Sequence, residues 1–172
     1  MFRQDRLWYS PTHGRQAETV MIEQIRRFMQ EDPSRQYRVM IGTDSMPNHD
    51  GPVYLVTALV VHRVGNGAIY FWQRKLAGPF PSLRHRMRAE ADRSLRHARR
   101  LLANRIVREM LHDGIGIHLD VGNDGATREV ITEVVGMVED FGFPAAIKPE
   151  AIAASRVAHR HTAIPALTPQ PA

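Results

Sequence analysis

The chain has 172 residues, 43% hydrophobic and 24% charged, which suits one domain with a real core and is short for two. There is no cysteine, so disulfides and thiolate metal sites are excluded. The formal charge of +5 and pI of about 10.2 favour a polyanionic partner, because phosphate contacts release counterions.

The basic residues are almost all arginine, with lysine only at Lys75 and Lys148, a skew that genome base composition also produces. The first residues, MFRQDRLWYS, carry charge where a secretory leader would be apolar. The longest apolar run, Val53 to Val61, is about half of a membrane span. These features lead us to expect a soluble, cytoplasmic protein with no membrane partner.

Residues 17–30 place Val20, Met21, Ile25, Phe28 and Met29 at helical spacing, and Pro33 stops that helix. Tyr37 to Asp44 reads as a strand. Val53 to Val64 is β-branched and nearly all apolar, as in a central strand buried on both faces. Gly65-Asn66-Gly67 signals a tight turn, and Ile69 to Leu76 forms the returning strand.

A long helix over residues 82–112 carries a stripe of Leu83, Met87, Ala91, Leu95, Ala98, Leu102 and Ile106, and Gly114 ends it. Ile115 to Val121 is a strand, Thr127 to Phe141 an amphipathic helix, Gly142 to Pro149 holds a short strand, and Glu150 to Thr162 is the last helix. The expected fold class is α/β: a five-stranded mixed sheet, three antiparallel strands then two parallel, with helices on both faces. Residues 1–164 form one domain, and 165–172 a flexible tail.

Asp44 closes the first predicted strand and Asp120 the fourth, and these strands are neighbours in that topology. Two carboxylates a few Å apart repel unless a cation neutralises them, which points to Mg²⁺ or Mn²⁺. On the long helix, Glu90 lies about 200° from Asp92. Glu90 falls on the flank of the inward stripe, and Asp92 faces solvent.

A strand-end Asp also serves as a turn or capping residue. Three acids at these positions together are less readily explained that way. Asp124 either caps the helix that begins near Thr127 or contacts a metal from the outer shell. Arg86, Arg93, Arg96, Arg99 and Arg100 fall on the outward side of the long helix, tracking a phosphate backbone or simply solvated. Arg128, Arg156 and Ser45 are the candidate substrate contacts; an arginine there binds phosphate bidentately.

The segments WYSPTHG (8–14), IGTDS (41–45), HLDVG (118–122), DGATREVITEVVGMV (124–138) and IKPEAIAASRVAHRHT (147–162) resemble the YkuK-type family, a bacterial branch of the ribonuclease H-like superfamily. The resemblance spans nearly the whole chain. It implies the ribonuclease H fold, with metal carboxylates at Asp44, Glu90 and Asp120.

Superfamily members usually carry a fourth metal-binding residue on the last helix. Where an Asp is expected, this chain has His159. As an imidazole it binds Mn²⁺, acts as general base, or is a surface residue of a basic helix. The resulting expectation is a two-metal nuclease acting on RNA, DNA or their hybrid. The alternatives are a catalytically silent nucleic-acid-binding module and, more weakly, a structural or oligomer-forming protein.

Overall fold

Apolar residues follow one another almost without interruption from Val53 to Val61, and that run lies at the centre of the sheet. The computed structural model describes residues 7–45, 53–121, 128–148 and 150–162, with backbone alone for 152–155. The strands are β1 (Leu7–Ser10), β2 (Gly14–Ala17), β3 (Tyr37–Ser45), β4 (Val53–Arg63), β5 (Ala68–Ala77), β6 (Gly116–Leu119) and β7 (Ala145–Ala146). The helices are α1 (Glu18–Gln30), α2 (Leu83–Ala103), α3 (Arg105–Met110), α4 (Arg128–Asp140) and α5 (Ile152–Thr162).

The sheet order is β2-β1-β5-β4-β3-β6-β7. β3, β4 and β5 form the expected antiparallel meander, and β6 and β7 join in parallel beside β3. Among the described residues the sheet has seven strands, which corrects the expected five. The additional pair is the hairpin β1–β2, joined to β5 through Tyr9 opposite Trp72.

The turn from β4 to β5 places Gly65 and Gly67 at positive φ (78° and 82°), where a side chain would be strained. Arg63 N donates to Gly67 O at 2.9 Å and closes it.

Alternation along the strands sorts the two faces. Val39, Ile41, Leu59, Val61 and Phe71 point into the larger core, which α1, α2 and α4 cover. Val56, Ala58 and Trp72 point the other way, against Ala158 and Val157 of α5.

The long helix is broken, which corrects the continuous 82–112 helix. Asn104 takes an extended conformation (φ −75°, ψ 123°), and its side chain accepts from Ile106 N at 2.9 Å, capping α3. The break shifts the inward phase by one residue. Val107 and Leu111 are therefore buried, while Ile106 of the predicted stripe is exposed, as is Leu83 at the opposite end.

The arginines of α2 also differ from expectation. Arg96 and Arg99 face solvent, but Arg93 is buried, donating to Thr57 Oγ1 (3.0 Å) and Gln73 Oε1 (3.1 Å). Arg100 binds Glu18. Among the described residues no helix is long and apolar enough to cross a membrane. The predicted tail, 165–172, lies outside the described residues.

Candidate active site

The parallel pairing of β3 with β6 ends at Thr43 opposite Leu119. Asp44 and Asp120 follow immediately on their respective chains, at adjacent strand ends. Asp44 is on the α5 face, buried at 7% exposure. Its Oδ2 lies 3.0 Å from Nδ1 of His159, which α5 brings across the sheet. Burial raises the Asp44 carboxyl above its ordinary range, and the Asp120 charge adds to this, against the opposing effect of His159.

Glu90 enters from the other face. It is one of the inward residues of α2 and is 8% exposed. Ser45 Oγ donates to its Oε1 at 2.5 Å. Burial, with the charges of Asp44 and Asp120, pushes the Glu90 carboxyl up to about 8, despite the Ser45 hydrogen bond and nearby Arg86. Asp92 is exposed and pairs with Arg96 at 2.8 Å, in line with its solvent assignment.

Asp120 has a partner that the local motifs do not contain. Lys148 N donates to Val121 O at 3.1 Å, and its Nζ reaches Asp120 Oδ1 at 2.8 Å. His118, one layer below on the same face as Asp120, is buried. Burial lowers its basicity, and a hydrogen bond with the Ala151 backbone ties it to the segment leading into α5. Neither Lys148 nor His118 was singled out from sequence. The signal available was that Lys148 is one of two lysines in an arginine-rich chain.

Ser45 spends its hydroxyl on Glu90 and is buried. Arg156 is exposed on α5, on the helix that carries His159. Arg128 is exposed at the first position of α4 and joins none of the site's hydrogen bonds or ion pairs among the described residues. Asp124 lies outside the described residues.

His161, two residues beyond His159, stacks on Trp72 with ring centroids 4.2 Å apart, and Trp72 stacks in turn on Tyr9. Its ring is thus used in packing.

Behind the acids runs a buried polar chain under α2. Ser94 Oγ donates to Thr43 Oγ1 (2.9 Å), and the hydroxyls of Thr43 and Thr57 are hydrogen-bonded at 2.9 Å. Arg93 continues the chain to Gln73, and Gln73 Nε2 lies 3.4 Å from His97 Nδ1. His97 lies edge-on to Trp8, whose Nε1 donates to Glu18 (3.3 Å). Such a network, when satisfied, fixes one arrangement of the elements around it. Here it ties α2 to β3, β4, β5 and the hairpin.

Bringing acids from β3, α2 and the end of β6 to one sheet end is the layout expected from the sequence. Comparison with known proteins then decides the family: a family model described as ribonuclease H-like matches residues 20–163. The chain belongs to the ribonuclease H-like family. A relative, the uncharacterized protein YkuK of Bacillus subtilis (strain 168), is 30% identical over 170 residues, covering 91% of this chain and 96% of its own. No solved structure matches. The ribonuclease H-like assignment gives the fold a nuclease or nucleic-acid-binding type.

The oxygen-rich donor set fits a hard divalent cation. Asp44, Glu90 and Asp120 offer carboxylate oxygens, and burial raises the Asp44 and Glu90 carboxyls, a desolvation cost of their charged forms that a cation would offset. Among the described residues, no three His, Asp or Glu side chains are already drawn into a metal-sized cluster. Lys148 and His159 provide the nearest positive or proton-donating groups instead.

Proposed function

We propose that the chain is a metal-dependent nuclease that hydrolyses phosphodiester bonds of RNA, DNA or an RNA/DNA hybrid. The observation that carries this reading is the placement of Asp44, Glu90 and Asp120, acids supplied by three separate elements, at one sheet end. Bound Mg²⁺ or Mn²⁺, as in two-metal hydrolysis, would supply charge neutralisation and an activated water.

Asp44, Glu90 and Asp120 would hold the metal through their carboxylate oxygens, with Asp124, four positions beyond Asp120 in sequence, as a further acid. His159, in contact with Asp44 Oδ2, holds or transfers a proton there, or would tune a metal held by Asp44. Ser45 orients the Glu90 carboxyl. Arg156 and Arg128 present cationic side chains to the nucleic-acid backbone.

The test is Asp44→Asn with Mn²⁺ present, assayed on labelled RNA, DNA and hybrid substrates. Cleavage should fall by at least about a hundredfold while circular dichroism stays unchanged. Cleavage at the wild-type rate would refute the assignment.

A second reading also has an observation behind it. Lys148 already pairs with Asp120 and His159 with Asp44, as in a nucleic-acid-binding module that has given up catalysis. Under that reading Mn²⁺ gives no thermal stabilisation, while oligonucleotides bind and release with rising salt.

A further inference from the structure

Three arginines begin α2, at positions 84, 86 and 88, and they do not behave alike. Arg84 and Arg88 both pair with Glu133 of α4, on the outer side of the helix. Arg86 turns the other way. Its side chain is 24% exposed, and its Nε lies 4.0 Å from Glu90 Oε1, one helical turn further on.

That separation is within ion-pair range but too long for a hydrogen bond. Glu90 Oε1 already accepts from Ser45. Arg86 Nε is buried and has no hydrogen-bond partner among the described residues. A buried guanidinium N–H without an acceptor costs free energy unless something else fills that place. The 24% exposure lies on the rest of the side chain, so a ligand meets the guanidinium from its outer edge while Nε stays on the Glu90 side.

We infer that Arg86 is a phosphate-binding residue of this site: its guanidinium, held beside Glu90 with an unused donor, receives an oxygen of the nucleic-acid backbone. The inference deepens the nuclease reading and rests on it for the identity of the ligand. The chemistry is specific to arginine. A planar fork grips two phosphate oxygens at once, and its charge persists at every working pH. Its position on the first turns of α2 gives the backbone a second contact across the acids from Arg156 on α5. Sequence periodicity alone had assigned Arg86 to the outer face with its neighbours.

The experiment has two arms, both without added metal and with EDTA present. In the first, fluorescence anisotropy follows a labelled 20-nucleotide RNA, the matching DNA and their hybrid across a salt series, for wild type, Arg86→Ala and Arg86→Lys. Arg86→Ala should weaken binding about tenfold and flatten the log affinity against log salt plot by about 1. Arg86→Lys should restore the slope but only part of the affinity. Unchanged affinity and slope in Arg86→Ala overturn the inference and leave the nuclease reading to its own test.

In the second arm, thermal unfolding is followed against inorganic phosphate. Phosphate should raise the midpoint of wild type and not that of Arg86→Ala. If wild type binds none of the three oligonucleotides, the proposed function fails and this arm alone decides on Arg86. Equal responses in the two proteins, or none in either, then overturn it.

Discussion

Lys148 Nζ sits 2.8 Å from Asp120 Oδ1, although 28 positions in the chain separate them. The hydrogen bond from Lys148 N to Val121 O delivers the ammonium to that place.

A lysine there competes with any cation for Asp120. Lys148→Gln should therefore lower the Mn²⁺ concentration at half-maximal thermal stabilisation. Several-fold is the expected size, since 53% of the lysine side chain is in solvent and the attraction is screened. An unchanged midpoint would mean that the ammonium swings aside at no cost.

Glu90 sets a pH dependence whose sign is opposite to that of a salt-bridged acid. Its folded carboxyl is pushed up from 4.5 to about 8, so the folded chain keeps a proton that the unfolded chain has lost. Stability of the metal-free protein should fall as pH rises between those values, with a slope of up to about 1.4 kcal/mol per unit from this group. Glu90→Gln should flatten that dependence and leave the variant more stable than wild type near pH 8. Urea denaturation at pH 5, 6.5 and 8 in EDTA checks this; parallel pH dependences for the two proteins would contradict it.

Thr57 is fully buried at the junction of the polar chain, bonded to Thr43 and to Arg93. Thr57→Val keeps the volume and removes both hydrogen bonds. It should cost about 2–3 kcal/mol by denaturant unfolding, one of them being charge-assisted. A loss below about 0.5 kcal/mol would show that the network rearranges around the missing hydroxyl.

The central sheet was legible because its signals are local. The β-branched run at Val53, the glycines at 65 and 67, and the strand-end acids at 44 and 120 each announce themselves within a few residues. Counting 100° per residue also placed Glu90 inward and Asp92 outward. The hairpin was not legible: its strands have four residues each, and Gly14, Arg15 and Ala17 of the second are exposed.

The break at Asn104 lies inside a continuous apolar stripe, and only the altered burial of Ile106 and Val107 exposes the change of phase. Arg86 and Arg93 turn inward to meet groups on β4, β5 and α2 itself, an outcome of tertiary packing that helix periodicity does not encode. Lys148 reaches Asp120 only once the chain has returned in β7 alongside β6, a pairing of two residues on the shorter strand.

The family match begins at residue 20, yet Trp8 is wholly buried in the main core and Tyr9 is the residue that docks the hairpin on β5. A fragment trimmed to the matched region would leave a tryptophan-sized void under α1 and α2. It would also uncover the flank of β5 as a template for another copy's backbone. The boundary of the family-model match is thus not the boundary of the folding unit, and a fragment for expression should retain the β1–β2 hairpin.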